Sequence, residues 1–243
     1  MKIFIHKDLN KIDVLDERFY QVGDVYFPSV TTVLQCYPKG YWYDAWLKDV
    51  GRNADNIRND AAEKGSNVHN AIESILLGRE ETFIIDGKPQ YTLEEWQMIC
   101  RFMEFHSRYI LKGEQVSAET QLFSKSLRLG GTTDLVVKIN GETWMIDFKT
   151  SNGLYKTNEL QLAIYKEMWD EKNTPKIDRY GVLWLNSATR TEKEFQGVGW
   201  QLKEFTKDHD HNIRLFHHTR ALWDEENPNY KPKNLSYPNS FKL

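Results

Sequence analysis

Two cysteines in 243 residues, Cys36 and Cys100, are too few and too far apart for a disulfide scaffold, a zinc ribbon or a four-cysteine iron–sulfur cluster. No apolar run approaches the ~20 residues that a bilayer helix needs. The first fifteen residues carry Lys2, His6, Lys7, Asp8, Lys11 and Asp13 where a signal peptide would have an apolar core, and they are neither arginine-rich nor acid-poor like a mitochondrial transit segment. These absences point to a cytoplasmic chain with no membrane partner and no iron–sulfur cluster. An excess of positive charge is also missing. With 32 basic against 35 acidic side chains the net charge is −3, so any nucleic-acid contact has to come from a local basic surface. There is no Gly-x-Ser-x-Gly elbow and no dinucleotide fingerprint, and Gly87-Lys88 lacks the spacing of a Walker motif.

What is present suits one globular unit: 40% hydrophobic and 28% charged residues, enough to bury a core. We expect a single domain over 1–226. The stretch 227–243, with three prolines, Lys231, Lys233, Lys242 and no acid, reads as an extended basic arm. Alternation at Lys2-Ile3-Phe4-Ile5, Phe19-Tyr20-Gln21-Val22 and Val25-Tyr26-Phe27, with a Gly23-Asp24 break, predicts short strands joined by tight turns. Ser29 or Thr31 can cap a helix over 30–35. Helical spacing recurs from about Asp60 to Leu77, with Gly78 as a stop. It recurs again over 93–111, opened by a Thr92/Glu95 capping box and closed by Gly113. Strands are expected over 116–124, 132–139, 143–150 and 180–186 and near 195–200, with helices over 159–171 and 204–223.

Asn140-Gly141 between two alternating runs is the signature of a two-residue hairpin, because both central residues of a type I′ turn need positive φ. If Ile139 faces Glu142, counting outward sets Asp134 opposite Asp147. Leu135, Val137 and Ile139 then share a core face with Trp144, Ile146 and Phe148, while Asp134, Asp147 and Lys149 share a face that is not core. The two aspartates form a non-hydrogen-bonded pair with Cα atoms ~4.5 Å apart, and carboxylates that close repel unless a proton or cation lies between them. Oxygen ligands suit Mg²⁺ or Mn²⁺, and Lys149 beside them can stabilise charge on phosphate or orient a water. The alternative is a solvated Lys–Asp pair on an exposed sheet face. A bulge near Gly130-Gly131 would also break the count.

Other residues can join this site. Glu119 in the preceding strand offers a third carboxylate, and His69 and Glu73 are i, i+4 neighbours on a helix. Gln161 and Tyr165 lie one turn apart on the helix after the hairpin, where they can meet substrate phosphates or the core edge. The aromatics Tyr41, Trp42, Tyr43 and Trp46 can stack on bases, but the i, i+4 spacing of Trp42 and Trp46 favours one helix face packed in the core. Lys39, Lys48, Arg52, Arg58 and Lys64, interspersed with aspartates, read as a phosphate-tracking groove in preference to a solvated helix face. His209, His211, His217 and His218 diverge on a helix and do not make a second metal site.

Taken in order, these residues resemble the PD-(D/E)XK nucleases, specifically the RecB-like branch with its mitochondrial genome maintenance exonuclease and CRISPR-associated members. Gly65-x-x-x-His69-x-x-x-Glu73 is similar to the helix histidine motif, Glu119 to the strand acid and Gly131-x-x-Asp134 to the first metal-binding aspartate. Asp147-Phe148-Lys149 resembles the D-x-K core, Gln161-x-x-x-Tyr165 the trailing helix motif, and residues 28–34 a segment of mitochondrial and phage exonucleases. The resemblance implies an α/β (α+β) restriction-endonuclease-like core, a mixed central sheet flanked by helices. It implies a divalent metal held by His69, Asp134, Asp147 and the Phe148 carbonyl, with Glu119 assisting, Lys149 at the nucleophile, and Gln161 and Tyr165 supporting site and DNA. With only two cysteines, the chain falls with the members that lack an iron–sulfur cluster. We therefore expect a metal-dependent deoxyribonuclease, an exonuclease on single-stranded DNA ends, with Trp42, Trp46, Arg52 and Arg58 as further DNA contacts. A flap or branched-DNA endonuclease, or a non-catalytic DNA-binding module of a recombination or replication assembly, are the alternatives. The small free-standing format fits a phage enzyme acting in a host cytoplasm, with a replication or recombination protein as partner.

Overall fold

Local signals place most of the elements. The computed structural model describes residues 2–6, 11–15, 19–22, 25–110, 114–228 and 234–241; the expected Gly23-Asp24 break, Leu111, the Gly113 stop, Lys231, Lys233 and Lys242 lie outside them. In chain order the elements are β1 (Lys2–His6), β2 (Lys11–Leu15), β3 (Phe19–Val22), β4 (Val25–Pro28), α1 (Val30–Val33), α2 (Tyr41–Val50) and α3 (Ala54–Leu76). Next come β5 (Ile84–Ile85), β6 (Lys88–Pro89), α4 (Leu93–Tyr109), β7 (Gln115–Ser124), β8 (Leu129–Ile139), β9 (Glu142–Lys149) and α5 (Lys156–Lys172). The last are β10 (Arg179–Trp184), β11 (Gln196–Gly197), β12 (Trp200–Glu204), α6 (His209–Glu226) and β13 (Asn234–Pro238). Ser29 caps α1, its Oγ accepting from the Thr32 N–H at 3.0 Å. At α4 the Thr92 N–H donates to Glu95 Oε2 at 2.7 Å while Glu95 N–H donates to Thr92 Oγ1 at 3.2 Å, the reciprocal capping box expected from sequence.

Six strands form the central sheet in the order β11-β12-β10-β9-β8-β7. β7, β8 and β9 run as an antiparallel meander, and β10 returns parallel to β9 after crossing over through α5. The result is a mixed α/β layer architecture of the restriction-endonuclease-like kind. Asn140 (φ 53°) and Gly141 (φ 84°) make the β8–β9 turn, and the register opens with Ile139 opposite Glu142 as counted. Pairing stays regular through Gly130 and Gly131; the irregularity falls at Gln115–Ser117 in β7 instead.

Both faces of the sheet are core, which corrects the expectation of one apolar and one open face. Leu135, Val137, Ile139, Trp144, Ile146 and Phe148 pack with Val68, Ile72, Met98 and Phe102 of α3 and α4. On the opposite face Val136 and Met145 are just as buried, packed with α1, α5 and α6. The reason is the crossover: a parallel β9–β10 connection has to lay a helix on the sheet, and α5 covers the face that alternation left open. The strand expected near 195–200 is two strands, β11 and β12, reversing at Val198-Gly199, where Gly199 has φ 82°. In the tail, β13 pairs antiparallel with β2, which pairs with β1. Among the described residues no helix is long and apolar enough to cross a membrane.

Candidate active site

The residues expected to bind metal gather where the β8–β9 ladder stops. Its last pair is Leu135 and Ile146, and one step further the Phe148 N–H is taken by a side chain, Asp134 Oδ2, at 2.7 Å. Asp134 is 7% exposed and Asp147 only 3%, so both carboxylates sit in a desolvated pocket at the sheet edge of the helices. α3 brings His69 over them. Its Nε2 lies 3.0 Å from the Phe148 carbonyl oxygen, to which it donates, and its Nδ1 is 3.5 Å from Asp134 Oδ2.

Glu119 enters from β7. It takes the left-handed backbone conformation, φ 46°, inside a strand, a strained state for a residue with a Cβ and one that recurs at functional sites. Ligand atoms of His69, Glu119 and Asp134 lie within 4.8 Å of one another. The expected Asp134–Asp147 pair is thus divided between partners: Asp134 converges with His69 and Glu119, while Asp147 Oδ2 forms an ion pair with Lys149 Nζ at 2.6 Å. Asp147 Oδ1 also accepts from Gln161 Nε2 at 3.4 Å.

Charge in this space is unbalanced toward the negative. Burial, then repulsion from Asp134, Glu73 and Asp147, pushes Glu119 up to about 8. Burial likewise raises Asp134, opposed by His69 and reinforced by Asp147. Burial alone would lower Lys149, but Asp147 and Asp134 outweigh it and raise its pKa, so the side chain stays an ammonium ion. A half-buried imidazole and two carboxylates whose charged forms repel one another fit a hard divalent cation, since such an ion removes the repulsion that otherwise protonates them.

Gln161 and Tyr165 project from α5. Gln161 reaches the site, whereas Tyr165 is 3% exposed and lies under it, its ring filling the space left by Gly131: a Cβ there would come within 2.3 Å of Tyr165 Cε1. The two motif residues are complementary in shape. Glu73 is one turn beyond His69 on α3 and contributes negative potential at Glu119. Tyr20, not anticipated, joins from β3, its ring against Gly130 and its hydroxyl 3.1 Å from Thr132 Oγ1. Adjacent glycines at 130–131 were the available signal, since glycine in a strand marks close approach by another group.

The aromatic segment departs from the packing expected of it. α2 has no buried residue; Trp42 is 83% exposed, and Trp46 is only partly covered. The neighbouring residues 55–63 of α3 are exposed as well, so this stretch gives the Trp42/Trp46 pair no buried face to join. Arg52 and Arg58 are exposed along the same stretch, Arg58 donating to the Tyr43 hydroxyl at 3.0 Å and pairing with Asp55. Lys64 is paired with Glu94 at 2.8 Å.

A search of curated proteins gives no match. Among solved structures, that of SSO0001 aligns with 83% of this chain and 79% of its own, at 16% identity and a TM-score of 0.39. The model of the PD-(D/E)XK nuclease superfamily matches residues 29–233, from the cap of α1 past the end of α6, and so takes in every residue that converges on the ladder's end except Tyr20. The chain belongs to the PD-(D/E)XK nuclease superfamily.

Proposed function

We propose that this protein is a DNA exonuclease of the RecB-like branch, hydrolysing phosphodiester bonds from single-stranded ends. Membership of the superfamily makes it a metal-dependent nuclease, and the convergence of His69, Glu119 and Asp134 beside the Lys149–Asp147 pair is the observation that carries the reading. His69, Glu119 and Asp134 would hold Mg²⁺ or Mn²⁺, with Asp147 and the Phe148 carbonyl, to which His69 already points, beside them. When bound, the cation supplies Lewis-acid stabilisation of charge on the phosphate and activates water.

The chain's own groups do the rest. Lys149, kept cationic by Asp147, stands where negative charge builds up on the phosphoryl oxygens and can orient the attacking water. Gln161 fixes Asp147 and so the direction of the Lys149 ammonium. Burial of Asp134 and Asp147 keeps bulk water from screening these interactions. What supports a single-stranded substrate is the exposed α2–α3 stretch. Trp42 and Trp46 offer faces on which unpaired bases stack, and Arg52 and Arg58 offer charges for the backbone.

The test is digestion of end-labelled single-stranded DNA in Mg²⁺ or Mn²⁺, beside circular single-stranded DNA and an RNA control. Loss of the linear substrate with the circle intact is the expected result. Cutting of the circle would establish an endonuclease of flap or branched DNA instead, and binding of DNA without cleavage in either metal would establish a non-catalytic module.

A further inference from the structure

The geometry points to a second subsite: a pocket beside the catalytic acids that takes one unpaired nucleobase of the substrate strand. A cavity of about 560 Å³ lies between the turn after α1, the start of α2 and the first turn of α5, within the ~300–1,000 Å³ range of ligand pockets. Tyr37, Tyr43 and Tyr155 line it, with Leu34, and Gln161 completes the wall. Gln161 is also the residue that donates to Asp147 Oδ1, so the cavity and the acids share a side chain. The inference rests on the nuclease reading of that site.

The lining chemistry decides the occupant. Three phenol rings and a leucine suit a planar apolar ring, and the Gln35 carboxamide, with the Asn158 amide nitrogen whose Oδ1 is taken by the Tyr155 N–H, can meet the donors and acceptors on its edge. The nearby cations are already engaged. Lys39 Nζ sits 4.6 Å from the Tyr43 ring centroid, and Lys156 Nζ is paired with Glu159 Oε2 at 2.6 Å. Lys156 is neutralised by Glu159 and Lys39 already covers one face of Tyr43, whereas Tyr155, 65% exposed, leaves a base an open aromatic face. Arg58, donating to the Tyr43 hydroxyl at 3.0 Å, stands behind the same wall and links the pocket to the exposed stretch. A base seated here has left any duplex, because a paired and stacked base presents neither face to a tyrosine.

The probe is a short single-stranded oligonucleotide with 2-aminopurine placed at successive positions, titrated with the full chain in EDTA and in Ca²⁺. We expect strong quenching confined to one or two neighbouring positions. Tyr155→Ala and Tyr37→Ala should each abolish that local quenching, and an abasic nucleotide at the same position should weaken binding about fivefold or more. Uniform signals along the strand, no binding signal at all, or local quenching unchanged in both variants would overturn the proposal. So would a terminal phosphate whose removal alone weakens binding in a Lys39-dependent way, since the pocket would then hold phosphate. Cleavage is not the readout: a wild-type chain that quenches locally but never cuts DNA sinks the nuclease reading and leaves the pocket standing.

Discussion

The end of the β8–β9 ladder and the α2–α3 stretch are both rich in polar and aromatic side chains, yet they are built oppositely. At the ladder's end Asp134 and Asp147 are nearly sealed from solvent, and Asp134, Asp147, Lys149 and His69 are each held by a named partner within 3.5 Å. Along α2 nothing is buried, and Trp42 keeps most of its surface in water. Rigid, desolvated groups can stabilise a developing charge without reorganising, whereas exposed aromatics give up little to stack on whatever base arrives. On the proposed function, one region serves chemistry and the other contact with the strand.

The largest effect expected to sharpen that contrast is on cleavage. Asp134→Ala should reduce DNA hydrolysis below detection and Lys149→Ala should reduce it at least ~10²-fold, with circular dichroism unchanged. Metal-dependent cleavage retained by either purified variant would remove the catalytic assignment.

Next is the response to pH. Glu119 is held at about 8 in the fold against a usual 4.5, so between those values the folded chain binds more protons than the unfolded one. The stability tied to this group is complete below the unfolded value and is lost as pH rises through 8; Asp134, also raised, acts in the same direction. Thermal melts in EDTA should therefore fall in Tm from pH 5 to 8. Glu119→Gln should flatten that fall, and Mg²⁺ or Mn²⁺ should restore Tm at pH 8 far more than at pH 5. A flat wild-type profile would contradict the charge imbalance at this site.

Packing gives a smaller effect. Gly131→Ala places a Cβ against the Tyr165 ring and should cost about 1–3 kcal/mol in urea unfolding. On the exposed side, Trp42→Ala should change stability by no more than about 0.5 kcal/mol while weakening single-stranded DNA binding by about 1–3 kcal/mol. If Trp42→Ala unfolds the protein or leaves DNA affinity untouched, the division between the two regions fails.

Much of this was readable before any coordinates because it is local. Asn140-Gly141 admits the positive φ of one turn type, and that turn dictates the pairing from Ile139–Glu142 to Leu135–Ile146. Thr92 and Glu95 close their capping box within one helical turn. The same counting misjudged the second face of the sheet, because alternation along a strand is silent about a helix that arrives from elsewhere. It also misjudged α2, whose i, i+4 aromatics look identical whether or not a partner faces them.

Residue identity and short-range spacing alone determined the hairpin register, the helix caps and the order of acids, histidine and lysine along the chain, since each depends on backbone torsions within a few residues. Tertiary structure decided the grouping: that Asp134 converges with His69 and Glu119, that Asp147 turns to Lys149 and Gln161, that Tyr165 lies beneath Gly131, and that Tyr20 approaches from the far end of the sequence. Asp147 and Lys149 aside, those contacts join residues 14 or more positions apart, and only strand pairing and the stacking of helices on the shared sheet bring them within bonding distance.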